Sequence, residues 1–433
     1  MKKITLFWFR RDLRLEDNVG LNTALHEGNN VLPLFIFDTD ILQRLQKNDA
    51  RVNFLHNRIE ELNRQLQPKG KMIHVFHGKP LDIINSLTQQ LEVGEVFTNR
   101  DYEPYSLKRD HEIEKLLTTK NIRFSTSKDH VIFEKDEVVK ADGTPYRVYT
   151  PYSRVWMKKF ESTTIHTENK PPPYNAFTTI DNHQNPTLED LGFTDSNQPF
   201  PKPNTTKELI ENYEANRNTP SVSGTSKVGA HLRFGTISVR QAVVKALQSK
   251  NETFLKELIW REFFMQILWH FPYTEKNSFK PQYDRIDWRN DPKEFKRWCE
   301  GKTGYPFVDA GMRELNETGF MHNRVRMLVG SFLCKHLLID WRWGEAYFAE
   351  KLLDYEMASN VGNWQWVAGC GVDAAPYFRI FNPTEQIKKF DKNHIYIKRW
   401  VPDYESPSYP SPIVDHKAAR DRCLDTYKSA LNR

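Results

Sequence analysis

The stretch DYEMASNVGNWQWVAGCGVDAAPYFRIFNP, Asp354 to Pro383, says most about how this chain folds. It holds a Trp-Gln-Trp pair, two asparagines that can be buried and two acids just upstream. If Trp364 to Trp366 is helical, residues two apart point about 200° apart around the helix axis. We therefore expect Trp364 and Trp366 on opposite sides of one wall, one lining a cavity and the other facing the interior. The alternative is that both are ordinary core aromatics.

The first 130 residues alternate strand and helix patterns, which is typical of a parallel sheet with helices on its faces. No G-x-G-x-x-G follows the first apolar run, so a classical dinucleotide site is not expected there. We predict a doubly wound, Rossmann-like α/β domain over residues 1–130. Its strands are expected at Ile4–Phe9, Val31–Phe37, Met72–Phe76 and Glu95–Thr98, and its helices include Arg51–Gln65 and Leu81–Leu91.

Residues 131–205 lose this periodicity and gather Pro, Asn and Thr, as in KPPPYNAF and QNPTLEDLG. From residue 206 onward the patterns are helical, and nine of the eleven tryptophans lie from Trp260 onward. We therefore predict an interdomain linker over 131–205 and a larger all-α domain over 206–433.

Composition excludes some classes of protein. No run of 18 apolar residues is present, so a transmembrane helix is not expected. The start, MKKITLFWFRR, predicts a buried strand rather than a signal peptide, because Arg10 and Arg11 interrupt its short apolar core. The four cysteines are far apart in sequence, so we expect neither disulfides nor a metal site, and a reducing cytoplasm fits.

The positive charge is unevenly distributed. Residues 206–433 hold 34 basic and 28 acidic side chains, which accounts for the whole formal net charge of +6. This excess predicts a polyanionic partner for the C-terminal half.

The segment FLKELIWREFFMQILWHF, Phe254 to Phe271, is apolar nearly all the way round a helical wheel, which predicts a helix buried on most faces. Glu257, Trp260 and Arg261 share one side of it, and charges on such a helix need a partner or a polar cavity. One interpretation is a pocket wall with an aromatic platform and an acceptor. The other is a plain Glu257–Arg261 ion pair one helical turn apart.

Gly224-Thr225-Ser226 is a small, hydroxyl-rich turn ahead of a predicted helix. Backbone N–H groups and hydroxyls in such a turn can hold a diphosphate. An ordinary helix cap has the same sequence pattern.

Long motifs spread over nearly the whole chain resemble those of the DNA photolyase/cryptochrome family. Within that family, the motifs are most similar to those of the class I cyclobutane pyrimidine dimer photolyases. They are LFWFRRDLRLEDN (Leu6 to Asn18), GTSKVGAHLRFGTIS (Gly224 to Ser238), FLKELIWREFF (Phe254 to Phe264), GKTGYPFVDAGMRELNETGFMHNRVRM (Gly301 to Met327) and YPSPIVDHKAARDRCLDTYK (Tyr409 to Lys428).

The resemblance implies an FAD-binding helical domain and light-driven repair of cyclobutane pyrimidine dimers, in which excited reduced FAD gives an electron to a flipped-out lesion. UV-damaged DNA would be the partner, without a membrane, and we expect a cytoplasmic monomer. The implied catalytic residues are Glu257, Trp260, Asn323, Met327, Asn360 and Trp366. The implied DNA contacts are Arg217, Trp260, Arg261, Arg324, Trp366 and Arg379.

The same resemblance implies a set of cofactor residues and an electron-transfer chain. Arg326 would pair with Asp354 beside the flavin, and Asn360 would sit next to flavin N5. The implied FAD-binding residues are Tyr213, Thr225, Ser226, Lys227, Val228, Gly229, Arg326, Asp354, Glu356 and Asn360. The implied electron-transfer tryptophans are Trp288, Trp341 and Trp364.

Three departures from the family pattern and two alternative functions accompany this prediction. TSKVG replaces the usual TSRLS, and DYE replaces the usual DGD. Folate-binding relatives carry Asn-Glu where this chain has Tyr105-Ser106, so a deazaflavin or flavin antenna, or none, fits as well as a folate. The alternatives are a cryptochrome-type photoreceptor and a (6-4) photolyase, and the latter group has a His pair where this chain has His322-Asn323.

Overall fold

The computed structural model describes residues 3–27, 30–168, 170–196 and 198–432. It divides the chain into two compact units, each discontinuous in sequence. The first unit comprises Met1–Glu134, Glu161–Lys202 and Val228–Lys245, and the second comprises Lys135–Phe160, Pro203–Lys227 and Ala246–Arg433. The predicted linker region thus contributes to both units.

The first unit contains a five-stranded parallel sheet in the order β3-β2-β1-β4-β5. All eight residues of the second strand are buried, as expected for a strand covered on both faces. The strands are β1 Ile4–Phe9, β2 Val31–Asp38, β3 His74–Gly78, β4 Val93–Asn99 and β5 Arg123–Ser127.

Nineteen α-helices lie in the described residues. In chain order they are α1 Val19–Glu27, α2 Thr39–Leu42, α3 Ala50–Leu66, α4 Pro80–Gln90, α5 Pro104–Thr119, α6 Tyr149–Glu161, α7 Lys207–Glu211, α8 Tyr213–Asn216, α9 Gly229–Arg233, α10 Val239–Leu247, α11 Thr253–His270, α12 Pro292–Cys299, α13 Pro306–Thr318, α14 Asn323–Ser331, α15 Trp341–Lys351, α16 Met357–Ala368, α17 Pro383–Phe390, α18 Ile395–Trp400 and α19 His416–Leu431. A π-helical turn, Phe332–His336, follows α14.

Alternating side chains of the strands build two cores, one on each face of the sheet. Phe7 and Phe9 of β1 belong to the core that includes apolar residues of α1 and α3. Leu6 and Trp8 belong to the core that includes residues of α4 and α5. Because helices cover both faces, the sheet is doubly wound, and the predicted α/β domain is confirmed.

The second unit is helical, and α11 lies at its centre. Eleven of its eighteen residues are buried, which agrees with the apolar character that the sequence shows on nearly every side. Helix α16 packs closely on α11 because Gly362 has no side chain: a Cβ there would lie 2.3 Å from the Phe264 ring. No helix in the described residues is long and apolar enough to span a bilayer.

A buried ion cluster lies beyond the carboxyl ends of β1 and β5. Arg14 Nη2 donates to both carboxylate oxygens of Asp129 at 2.6 Å, and Arg240 Nη2 donates to the same carboxylate at 2.8 Å. Burial alone would raise the pKa of Asp129, but the two guanidinium groups hold that pKa well below its usual range. The cluster therefore depends on a charged Asp129.

Asp129→Asn should lower the free energy of unfolding of this unit by about 3–5 kcal/mol, because two buried guanidinium groups lose their carboxylate. Urea unfolding at pH 7 measures the change, and the exposed Asp181→Asn serves as the control. The loss should shrink below about pH 4, because the stabilisation by Asp129 is present above the pKa of an unfolded aspartate and is lost as the pH falls. An unchanged unfolding midpoint at pH 7 would contradict this interpretation.

Candidate active site in the helical unit

Two adjoining cavities lie in the second unit. The Asn360 cavity, of about 100 Å³, is lined by residues that include Arg326, Asp354, Asn360 and Trp364. The Trp260 cavity, of about 280 Å³, is lined by Arg217 and by residues of α11, α14 and α16. Five residues line both cavities, so the two form one continuous site: Asn323, Met327, Ser359, Asn363 and Trp366.

Most of the residues that the sequence analysis assigned to the site line one of these cavities. Around the Trp260 cavity are Arg217, Glu257, Trp260, Arg261, Asn323, Met327 and Trp366. Around the Asn360 cavity are Asn323, Arg326, Met327, Asp354, Glu356, Asn360, Trp364 and Trp366. The assigned residues outside both linings are Tyr213, Thr225, Ser226, Lys227, Val228, Gly229, Trp288, Arg324, Trp341 and Arg379.

The Trp-Gln-Trp pair is helical, as predicted, within α16. Trp364 is 3% exposed, and its ring lies edge-on to Phe348 with centroids 4.9 Å apart. Gly344 permits this packing, because a Cβ there would lie 2.1 Å from the Trp364 ring. Trp366 is only partly buried and lines both cavities. Trp364 is buried in the core but also lines the Asn360 cavity, so both rings contribute to a cavity wall, whereas the sequence predicted that only one of them would.

Helix α16 is capped by Glu356, whose carboxylate accepts from Ser359 N at 3.4 Å and from Ser359 Oγ at 3.0 Å. This cap places Asn360 one turn into the helix. Asn360 Nδ2 donates to Glu345 Oε1 at 2.9 Å and to the Glu345 carbonyl at 3.1 Å. Burial raises the pKa of Glu345. No local sequence pattern indicates Glu345, because its partner Asn360 is fifteen residues away in the chain.

On α11, the carboxylate of Glu257 pairs with Arg217 Nη1 at 2.5 Å. This partner lies forty residues upstream, so helical spacing, which suggested Arg261, could not indicate it. Burial raises the pKa of Glu257, and Arg217 opposes that rise. Trp260 follows one turn later, and its indole is stacked against Tyr149 with centroids 3.7 Å apart. Tyr149 lies in the predicted linker, residues 131–205, where no sequence pattern indicated a role for it.

Arg326 and Asp354 form the ion pair that the resemblance implied. Two guanidinium nitrogens donate to the two carboxylate oxygens at 3.1 and 2.8 Å, and Arg326 Nε donates to the Met321 carbonyl at 2.7 Å. A two-point contact of this kind holds both groups in a set orientation at the cavity wall.

His322 caps the N-terminus of α14, where its Nδ1 accepts from Arg324 N at 3.2 Å. Burial and nearby arginines lower the pKa of His322 to about 4. The ring is therefore neutral at physiological pH, and Asn323 rather than a second histidine follows it.

Three arginines form a positive cluster beside the Trp260 cavity. Burial lowers the pKa of Arg324, and the charges of Arg217 and Arg379 lower it further. Arg324 Nη2 donates to Asn218 Oδ1 at 2.6 Å, and its guanidinium lies 4.4 Å from the Phe390 ring centroid. Arg379 lies 5.6 Å from the Phe381 ring. Such a cluster attracts anions.

The turn at Thr225 to Gly229 is divided between the two units. Thr225, Ser226 and Lys227 belong to the second unit, whereas Val228 and Gly229 belong to the first, where Gly229 begins α9. Lys227 has a φ of 53°, and its Nζ lies 5.5 Å from the Phe320 ring. Tyr213 is buried and packs edge-on against Phe254 of α11.

The three assigned electron-transfer tryptophans differ in exposure: Trp364 and Trp341 are buried, and Trp288 is partly buried. Trp288 packs edge-on against Tyr427 at 6.0 Å. Trp298, which the sequence analysis left unassigned, has its ring centroid 6.2 Å from that of Trp364.

A larger cavity, of about 710 Å³, lies in the first unit between α3 and residues 179–187. Its inner polar groups are bonded within the chain: Asn185 Oδ1 accepts from Val75 N at 2.8 Å, and Asn63 Oδ1 accepts from Ile73 N at 2.6 Å. The size of a cavity alone therefore does not identify the reactive site.

At the positions where folate-binding relatives carry Asn-Glu, both side chains are engaged within the first unit. Tyr105 Oη donates to Asp38 Oδ2 at 2.7 Å, and Ser106 Oγ donates to Asp101 Oδ2 at 3.1 Å. These contacts give no support to a folate.

Comparison with known proteins identifies the family. Residues 5–174 match the family DNA photolyase, and residues 254–408 match the FAD binding domain of DNA photolyase. A deoxyribodipyrimidine photo-lyase of Synechococcus is 37% identical over 95% of this chain and 93% of its own length.

Two solved structures have the same fold. A class III photolyase from Agrobacterium tumefaciens has a TM-score of 0.86 and 32% identity, covering 100% of this chain and 98% of that one. An archaeal photolyase from Sulfolobus tokodaii, solved with two FAD molecules, has a TM-score of 0.86 and 34% identity, covering 98% of this chain and 100% of that one. With identity at this level over nearly its whole length and matches to both family domains, this chain belongs to the DNA photolyase family.

Proposed function

We propose that this chain is a deoxyribodipyrimidine photo-lyase, which repairs cyclobutane pyrimidine dimers in UV-damaged DNA with light and FAD. The observation that carries the proposal is the composition of the Trp260 cavity. Two aromatic rings, Trp260 and Trp366, line it together with the carboxylate of Glu257 and the amide of Asn323. This set can stack on bases and accept or donate hydrogen bonds at their edges.

A lesion inside a duplex must leave the stack to reach a buried cofactor, at a cost of a few kcal/mol that is lower for damaged pairs. Stacking on aromatic side chains returns about 1–3 kcal/mol per base. Trp260 and Trp366 would supply this stacking, with Met327 completing the apolar contact. Glu257 would accept from a base N–H, and its bond to Arg217 keeps the carboxylate oriented.

The arginine cluster would hold the DNA backbone. Arg217, Arg324 and Arg379 lie near one another, and Arg261 lines the same cavity. Guanidinium groups bind phosphate through two parallel hydrogen bonds, so they position the strand without reading its sequence. Recognition would then rest on the deformability of the damaged duplex.

The donor set of the second unit fits FAD. The Asn360 amide and the Arg326–Asp354 pair offer donors and acceptors to a flavin ring in the Asn360 cavity, with Glu356 near by. Tyr213, the hydroxyls of Thr225 and Ser226, and Lys227 would serve the diphosphate end. When bound in its reduced form, FAD supplies the photoexcited electron that opens the cyclobutane ring.

The chain's own groups would prepare the site for that chemistry. Glu345 binds the Asn360 Nδ2 group, which leaves the Asn360 amide oxygen for the cofactor. Arg326 and Asp354 neutralise each other's charge beside the place where the flavin ring would lie, so neither charge is left unpaired there. Trp364, Trp341 and Trp288 would carry an electron inward from the surface when the cofactor needs to be reduced.

Two related functions fit less well. A (6-4) photolyase would need a His pair, but here His322 caps α14 as a neutral group and Asn323 follows it. A cryptochrome-type photoreceptor would not need the lesion-sized arrangement of Trp260, Trp366 and Glu257 beside an arginine cluster.

A second, antenna chromophore would belong to the first unit. The contacts of Tyr105 and Ser106 give no support to a folate, and a deazaflavin, a flavin or no antenna each fits the sequence. We also propose that the chain acts as a monomer in the cytoplasm. Its four cysteines, all within the described residues, are unpaired, which is the state that a reducing compartment maintains.

The decisive experiment is repair of a defined thymine-dimer oligonucleotide by the reduced protein under blue light, with a dark control. We expect intact thymines to reappear only under light. No recovery from protein that contains photoreducible FAD would contradict the proposal and favour a photoreceptor.

Glu257→Gln should lower affinity for the thymine-dimer oligonucleotide about tenfold, because a hydrogen bond to a charged group is replaced by a weaker one. Affinity for undamaged DNA and FAD content should not change. Fluorescence anisotropy measures both affinities. Glu252→Gln, an exposed carboxylate at the start of the same helix, is the control, and equal losses in the two variants would remove Glu257 from the site.

Trp364→Phe should slow photoreduction of oxidised FAD at least about tenfold, because a phenyl ring is much harder to oxidise than an indole. Repair by chemically reduced protein should persist, since that reaction needs no inward electron transfer. Absorbance under steady blue light follows the reduction. Trp269→Phe, on α11, is the matched control, and an unchanged rate in Trp364→Phe would exclude Trp364 from the chain.

A further inference from the structure

Tyr149, at the start of α6, makes one of the closest parallel ring contacts in the described residues. Its ring lies on the Trp260 indole with centroids 3.7 Å apart and an interplanar angle of 6°. The Trp260 cavity is lined by Trp260 but not by Tyr149. Tyr149 therefore covers a face of the indole that does not contribute to the cavity.

The geometry of α11 explains which side Tyr149 occupies. Successive residues advance by about 100° around a helix axis. Relative to Trp260, Lys256 and Phe263 fall to one side, and these are the residues that Tyr149 contacts. Glu257, Arg261 and Phe264 fall to the other side, and these line the cavity together with Trp260. Trp260 thus stands between the Tyr149 ring and the cavity.

Tyr149 is itself held at both ends. Its Oη donates to the Lys256 carbonyl at 2.8 Å, and its backbone N–H donates to Asp373 Oδ2 at 3.1 Å. In an α-helix, the carbonyl of Lys256 also accepts from the N–H of Trp260. The phenol is therefore tied to the same turn of α11 that carries the indole it covers.

An indole on a cavity wall can bind tightly only if it already has the orientation that the ligand needs. Any rotamer freedom that remains before binding must be lost on binding, which weakens affinity. A flat ring at van der Waals distance restricts the indole in the free protein. A flexible apolar side chain of similar volume would fill the space without imposing that plane.

We infer that Tyr149 is a positioning residue that fixes the Trp260 ring for stacking on the flipped-out lesion. The inference rests on the proposed function. It adds to the lesion site a residue from the predicted linker, residues 131–205, to which the sequence assigned no part of the site.

The test compares three variants by their affinity for a thymine-dimer oligonucleotide and for its undamaged counterpart. Tyr149→Ala should weaken lesion affinity about tenfold, equivalent to about 1.4 kcal/mol. Tyr149→Phe, which retains the flat ring, should stay within about twofold of wild type. Tyr149→Leu, which fills the space without a ring, should resemble the alanine variant. Affinity for undamaged DNA and FAD content should be constant throughout.

A double-mutant cycle with Trp260→Ala separates positioning from general packing. If Tyr149 acts through the indole, Tyr149→Ala should cause no further loss of lesion affinity in the Trp260→Ala background. Tyr273→Ala, at an exposed tyrosine of the same unit, is the control and should leave both affinities unchanged.

Two results would overturn the inference while leaving the proposed function intact. One is a leucine variant that binds the lesion as well as the phenylalanine variant, since bulk alone would then suffice. The other is an equal loss from Tyr149→Ala with and without Trp260. A wild-type protein that does not distinguish lesion from undamaged DNA would instead overturn the proposed function, and the positioning role with it.

Discussion

The architecture of the second unit depends on enclosing α11, a helix that is apolar on nearly every side. Its few polar side chains cannot be buried without a partner. Moving an unpaired polar group from water into an apolar environment costs about 2–7 kcal/mol, depending on the reference solvent. Three of them have partners that lie far away in sequence. Trp156 Nε1 donates to Glu262 at 2.6 Å, Gln266 Nε2 donates to the Val138 carbonyl at 2.5 Å, and Arg217 pairs with Glu257.

These partners explain why the second unit is discontinuous in sequence. Val138 and Trp156 lie in Lys135–Phe160, and Arg217 lies in Pro203–Lys227, both of which belong to the unit that contains α11. The same enclosure creates the site. Glu257 and Trp260 face a cavity on one side of α11, while Tyr149 covers the indole from the other side.

Paired polar groups prepare the site before any ligand binds. Arg326 with Asp354, Asn360 with Glu345 and Arg217 with Glu257 each fix an orientation and compensate a charge or a hydrogen-bonding group. Such pre-organisation moves the cost of ordering side chains from binding to folding. Most of these partners are far apart in sequence, so a single substitution in one segment can alter a group contributed by another.

The parallel sheet and the buried character of α11 could be predicted from the amino-acid sequence alone. Each is a periodic pattern of apolar residues, and such patterns follow from local backbone geometry. Three contacts of the site become visible only in the folded chain: Glu257 pairs with Arg217, Glu345 binds Asn360, and Tyr149 stacks on Trp260. These contacts join segments whose own patterns are independent of one another, so no local periodicity in the chain records them.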